Sequence, residues 1–158
     1  AMKHSRHLGS LAFCEDGDES VVDAAVTIAE RPAPATLVVA DPAAFDEDAV
    51  ERLDDVLDRL DLHDAWARER IAADLGEEGT TVADYWRFFH EEVEGWQDRT
   101  PGDFLDALVV RRVGIFPDGA WATDSTLSID YGIEDPETDQ LLVVRFPDGR
   151  TPVISWES

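Results

Sequence analysis

The sequence has few cysteines, few lysines and no long apolar run, and each of these features excludes a class of protein. Its 158 residues include one cysteine, Cys14, and one lysine, Lys3. A single cysteine excludes an internal disulfide, so we expect a cytoplasmic setting. No apolar run approaches the ~18 residues that a membrane span needs, and no apolar signal-peptide core follows the first basic residues. The sequence therefore predicts a protein that does not cross a membrane.

Positive charge is also scarce. Thirteen Lys and Arg residues face 36 Asp and Glu residues, which gives a formal net charge of −23. Such a chain repels nucleic-acid phosphates and anionic membrane surfaces, so we expect neither as a partner. It attracts basic proteins and cations. The charge has two interpretations, a specific acidic binding surface or a general adaptation of the host's proteins to solvent or codon usage, and both stay open.

Enough apolar material is present for a real core. Hydrophobic residues make up 44% of the chain, with five Trp and seven Phe, so disorder driven by charge is not expected. The length fits one domain over residues 1–158. Its predicted fold class is α+β, with strands over 8–40, an acidic helical segment over 41–108 and an antiparallel meander over 109–156. The sheet is thus drawn from both ends of the chain, and about four helices are inserted between them.

Apolar residues at period two predict two half-buried strands. The first alternates over 22–28 and is expected to be broken by Pro32 and Pro34. The second alternates over 127–133, where Ser128 and the other intervening residues are small or polar. Short Pro-Asp-Gly turns in the same part of the chain indicate antiparallel neighbours.

Apolar residues at spacings of three and four predict the helices. The first has Asp46 as its N-cap and buries Val50, Leu53, Leu57 and Leu60. The second is predicted over 62–75, with Leu62 facing inward. A third is expected to begin at Thr81, and a short fourth one at Pro101.

Negative charge concentrates on these helices. Residues 41–103 contain 20 acidic and six basic residues, so we expect this segment to dock a basic partner through its charge. An exposed tryptophan after a turn would add an aromatic anchor. The predicted partner-binding residues are Asp54, Asp55, Asp58, Asp61 and Trp121.

Other side chains suggest metal or nucleophile chemistry only weakly. His90 and Glu94 share a helix face, but a zincin pattern needs a second histidine at position 94. The acidic turn around Asp16 lacks the glycine and glutamate of an EF-hand loop. Cys14 lies in an apolar run and is expected to be buried, and the histidines at 4 and 7 are expected in a frayed terminus. We predict no metal and no cofactor.

A carboxylate cluster is the remaining alternative for catalysis. Asp130, Asp139 and Glu157 would converge if their strands were neighbours, and one carboxylate can raise the pKa of another. No nucleophile with a fixed base is evident in the sequence, so an enzyme ranks below a binding protein.

The C-terminal third also resembles a known group of sequences. Four stretches carry the likeness: RVGIFPDG at 112–119, IDYGI at 129–133, ETDQLLVV at 137–144 and ISWES at 154–158. They resemble a family of uncharacterised bacterial domains known only as a domain of unknown function. Some members are regarded as toxin-immunity-like, and no activity or catalytic residue comes with the resemblance.

These observations favour a non-enzymatic, immunity- or antitoxin-like factor that binds a basic protein, such as a nuclease-type toxin whose site normally meets phosphate. The alternatives are a carboxylate- or metal-dependent enzyme and a domain whose acidity has no specific role. The oligomeric state is not predicted.

Overall fold

The computed structural model describes residues 2–118 and 124–158. Within them the strands are β1 (His4–Ser5), β2 (Gly9–Ser10), β3 (Cys14–Asp16), β4 (Glu19–Ile28), β5 (Arg31–Val39), β6 (Leu108–Ile115), β7 (Leu127–Ile133), β8 (Leu141–Arg145) and β9 (Val153–Glu157). The helices are α1 (Glu47–Asp58), α2 (Leu60–Leu75), α3 (Thr81–Glu92) and α4 (Pro101–Ala107), with a short 3₁₀ turn at Pro42–Ala44. The α+β prediction is confirmed.

Strands β3 to β9 form one seven-stranded sheet in chain order. Every neighbouring pair is antiparallel except β5 and β6, which run parallel and are joined through the four helices. A parallel pair requires such a crossover because no tight turn can connect strands of the same direction. The predicted meander at the end of the chain is therefore confirmed, as is the sheet built from both ends.

The prediction that Pro32 and Pro34 break the first strand is wrong, because both residues lie inside β5. A two-residue turn at Ala29 and Glu30, with φ of 50° and 65°, joins β4 to β5 and pairs Ile28 with Arg31. In an antiparallel pair, hydrogen-bonded residue pairs alternate with pairs that are not hydrogen-bonded, starting here from the bonded pair Ile28 and Arg31. Both prolines therefore lie in pairs without hydrogen bonds, where a backbone N–H would point away from β4. On that side β6 pairs with β5 only from Ala35 onward. Proline is tolerated at such unpaired edge positions.

The helices pack against one face of the sheet and share a single core with it. Leu53, Ile71 and Phe89 of the helices and Ile129 and Tyr131 of β7 are almost completely buried in this core. Each of the first, third and fourth helices begins with a side-chain cap, which satisfies a backbone N–H that would otherwise be unpaired. The fourth has proline at its first position and a capping box, as the sequence suggests.

Two expectations about burial are wrong. Leu62 is 45% exposed, since α2 begins at Leu60 and turns Leu60 and His63 inward instead. Cys14 is exposed in the three-residue strand β3, which lies at the edge of the sheet.

Candidate functional site: the acidic face of the first helix

The first helix places five carboxylates along one stripe. Val50, Leu53 and Leu57 face the core, as their spacing predicts. On the other side the acidic residues recur at intervals of three and four, so they line one side of the helix across three turns. We call this stripe the acidic face; its members are Glu47, Glu51, Asp54, Asp55 and Asp58.

Like charges at these intervals repel one another and destabilise an isolated helix. The protein relieves the repulsion with its own basic residues. Residues 2–11, which contain β1 and β2 and which we call the N-terminal hairpin, lie against the acidic face and carry Lys3, Arg6 and two histidines but no acid. The expectation that His4 and His7 belong to a frayed terminus is therefore wrong.

Asp54 is buried beneath the hairpin, although its helical position predicted an exposed side chain. Ser5 Oγ donates to its Oδ1 at 2.5 Å, and the backbone N–H of Arg6 donates to its Oδ2 at 3.1 Å. Ser5 is itself fully buried. These two hydrogen bonds satisfy a carboxylate that burial would otherwise destabilise.

Asp58 binds the two basic side chains at the tip of the hairpin. The Arg6 guanidinium donates to both carboxylate oxygens, at 2.9 and 3.2 Å, and His7 Nε2 lies 2.6 Å from Oδ1. Hydrogen bonds from Arg6 and then His7 lower the pKa of Asp58 to about 2. The same contact raises the pKa of Arg6. The carboxylate is therefore held in its charged form, where it attracts cations.

The other predicted partner-binding residues have different surroundings. Asp61 belongs to α2 and accepts a hydrogen bond of 2.8 Å from the Ala29 backbone N–H, so it holds the β4–β5 turn. Asp55 is exposed on the acidic face. Trp121 lies outside the residues that the structure describes.

A cleft of about 560 Å³ lies between the hairpin and the first two turns of α1. Glu47, Glu51 and Asp54 line one side, and Lys3, His4 and Arg6 line the other, with Met2 and Val50 completing it. Glu47 and Glu51 are exposed. Sequence reasoning missed this cleft, because the basic composition of the hairpin is visible in the sequence but its docking on α1 is not.

The sheet face opposite the helices holds a second group of charged residues. Asp130 and Glu157 line one groove of about 330 Å³, as the sequence suggested, whereas Asp139 lies in the loop before β8 and bonds Gln140 Nε2. Asp130 is buried, and Arg112 Nη2 donates to its Oδ2 at 3.1 Å. Burial raises the pKa of Asp130, Arg112 opposes this effect, and Glu157 adds to it.

The side chains considered for metal binding have other neighbours. The ring of His90 stacks on Trp86, and its Nδ1 lies 3.1 Å from the carbonyl oxygen of Trp96. Within the described ranges no group of three or more His, Cys, Asp or Glu side chains is arranged to hold a metal ion. Nor does any described helix have the length and apolar character needed to cross a membrane.

Comparison with protein-family models, curated proteins and solved structures finds no match. The resemblance of the C-terminal stretches to a domain of unknown function therefore stays a prediction, and the function has to be argued from the geometry of this chain.

Proposed function

We propose that this protein is a non-enzymatic binding factor whose acidic face docks a basic segment of a partner protein, in the manner of an immunity or antitoxin protein. The observation that carries the proposal is the seating of Arg6 and His7 on Asp58. An arginine fork and an imidazole already fit this face. A partner's basic side chains would meet the same carboxylate geometry.

The unused part of the acidic face gives the partner room to bind. Glu47, Glu51 and Asp55 are exposed and adjoin the cleft or the paired carboxylates. Charge complementarity at this surface would speed encounter and weaken as salt is added. The net charge of −23 extends that attraction over the whole molecule.

The test compares two variants of equal net charge. The first, Glu47→Gln with Glu51→Gln and Asp55→Asn, neutralises the exposed acidic face. The control, Glu77→Gln with Glu78→Gln and Glu91→Gln, neutralises three exposed carboxylates away from the acidic face, two in the turn after α2 and one in α3. An amidated nona-arginine peptide is the probe, and its binding is followed by fluorescence anisotropy at low salt.

We expect the acidic-face variant to bind the probe about tenfold more weakly, since three exposed charges of ~0.5 kcal/mol each amount to one decade in Kd. The control should change the affinity less than about threefold. An equal loss of affinity in both variants would mean that the probe is attracted by the net charge of the protein and not by the acidic face. That result would favour solvent adaptation over a docking surface.

A carboxylate-dependent enzyme is the second candidate, and the groove on the sheet face opposite the helices favours it. A buried acid with a raised pKa beside a second carboxylate is suited to proton transfer. The groove also contains the Ser128 hydroxyl, but no histidine lines it within the described residues. A stoichiometric divalent metal in the purified protein, detected by elemental analysis, would favour this candidate.

A further inference from the structure

The N-terminal hairpin is joined only weakly to the rest of the fold. Its two strands have two residues each and form a sheet separate from the seven-stranded one. The Leu11 N–H donates to the Lys3 carbonyl at 2.9 Å, and Leu11 is buried in the core. Strands this short contribute few ladder hydrogen bonds, so the tip of the hairpin depends on the acidic face for its position.

The side-chain contacts of Arg6 and His7 with Asp58 are polar and open to water, whereas the contacts with Asp54 are buried. The Arg6 side chain is 60% exposed and that of Asp58 is 42% exposed, although the guanidinium engages both carboxylate oxygens. Ion pairs with this exposure are screened by salt and exchange readily with other charges. The cleft of about 560 Å³ beside them gives a competing cation direct access to Glu47 and Glu51. The contact can therefore open at its tip while Leu11 remains anchored.

The chemistry of the hairpin matches the chemistry of the proposed partner. It offers an arginine, an imidazole and a lysine to a row of carboxylates, and a basic protein segment would offer the same groups. The hairpin already engages Asp54 and Asp58, so a basic segment that extends along the whole acidic face has to displace it.

We propose that the N-terminal hairpin is an intramolecular competitor, which occupies the acidic face until a basic partner displaces Arg6 and His7. This inference rests on the proposed function, because it concerns the same face. The apparent affinity for a partner is reduced by the fraction of molecules whose face is open. Weakening the hairpin contact should therefore strengthen binding, whereas weakening the face itself should reduce it.

The experiment uses the full chain and the same nona-arginine probe. Arg6→Ala with His7→Ala removes the two side chains that bind Asp58 and leaves Ser5 and Leu11 in place. The matched control is Arg150→Ala, which removes an exposed arginine on the turn before β9. We expect the double variant to bind the probe at least about fivefold tighter than the unsubstituted protein, and the control to change the affinity less than about twofold.

A second measurement needs no substitution. Amide hydrogen exchange of the unsubstituted protein reports the Arg6 N–H, which donates to Asp54, and the Leu11 N–H, which donates to Lys3. Saturation with the probe should release the protection of Arg6, whereas Leu11 and the core amides stay protected.

The outcomes separate the two proposals. If the double variant binds no tighter than the control, and Arg6 stays protected with probe bound, the competitor role is overturned. The docking function would still stand if the acidic-face variant binds more weakly. If the acidic-face variant binds as well as its own control, the docking function fails and the competitor role fails with it.

Discussion

The hydroxyl of Tyr131 donates a hydrogen bond of 2.6 Å to Asp64 Oδ1, which links the centre of the sheet to α2. Arg68 completes the group: its Nε donates to the same oxygen at 3.0 Å, and its guanidinium lies 5.1 Å from the centre of the Tyr131 ring. Asp64 and Tyr131 are both buried. Burial, followed by the negative charge of Asp64, raises the pKa of Tyr131, so its proton stays on the hydroxyl.

Replacing Tyr131 by phenylalanine should destabilise the fold by about 1.5–3 kcal/mol, because a buried carboxylate loses a donor. The matched control is Tyr85→Phe. The Tyr85 hydroxyl donates to the uncharged carbonyl of Gln140 at 2.7 Å, so its loss should cost only about 0.5–1.5 kcal/mol. Urea unfolding of the two variants measures both values. If Tyr131→Phe costs no more than Tyr85→Phe, Arg68 satisfies Asp64 without the tyrosine hydroxyl.

Local patterns in the sequence were sufficient to predict most of the elements. The three-and-four spacing of Val50, Leu53 and Leu57 marks the buried side of α1, and the alternation over 127–133 marks the core side of β7. Thr100 followed by Pro101 marks the start of α4. Each of these features depends on residues close together in the chain, which is why a single sequence reveals them.

Features that depend on distant residues could not be predicted. Pro32 is acceptable in β5 only because β6 pairs further along that strand. Asp54 is buried only because residues 48 and 49 positions earlier fold over it. For the same reason, the sequence predicted Asp58 as a partner-binding residue without revealing that Arg6 already binds it.

Gly114 is a position where a side chain has no room. An added Cβ would lie 2.7 Å from Ser128 Oγ and 2.8 Å from the nearest Phe116 ring atom. We expect Gly114→Ala to cost about 1–3 kcal/mol of unfolding free energy, since the neighbours have to shift.

The matched control for this substitution is Gly102→Ala in α4. There the nearest atom would be Thr100 Oγ1 at 3.7 Å, and alanine favours the helix by about 0.5–1 kcal/mol. In urea unfolding, the unfolding free energy should therefore decrease for Gly114→Ala and increase for Gly102→Ala. Equal stability of Gly114→Ala and the unsubstituted protein would mean that the Phe116 ring turns aside without cost.

The stability contributed by the contact between the hairpin and Asp58 should decrease at low pH. The pKa of Asp58 is about 2 in the folded protein, below its ordinary value of 3.8. A lowered pKa stabilises the folded state above pH 3.8, and this contribution is lost as the pH falls through about 2. In a carboxyl titration followed by NMR, we expect Arg6→Ala to move the pKa of Asp58 upward toward 3.8.

Asp148 provides the reference within the same titration. Backbone hydrogen bonds from Thr151 and Arg150 also lower its pKa to about 2, and the hairpin is not involved. Its titration should be unchanged in Arg6→Ala. If Asp58 also keeps its low value, Arg6 is not the main cause of the shift.

The Arg112–Asp130 pair should respond to pH in the opposite sense. Burial raises the pKa of Asp130 despite the guanidinium beside it, so the folded state favours the protonated acid. The stability that this provides is complete below the unfolded value of 3.8 and is lost as the pH rises through the folded value. Asp130→Asn keeps the shape and removes the charge, so it should remove this part of the pH dependence.

At neutral pH we expect Asp130→Asn to be as stable as the unsubstituted protein or up to about 1 kcal/mol more stable, since a buried carboxylate loses hydration that its exposed arginine partner only partly replaces. Urea unfolding at a series of acidic and neutral pH values measures this difference in stability, and urea, being uncharged, does not screen the charges. Glu157→Gln is the companion variant, because Glu157 is one of the groups that raise the pKa of Asp130. In this variant the pKa of Asp130 should be raised less, so the loss of stability should occur at a lower pH. A loss of about 2 kcal/mol or more in Asp130→Asn would show that the ion pair with Arg112 outweighs the cost of burial.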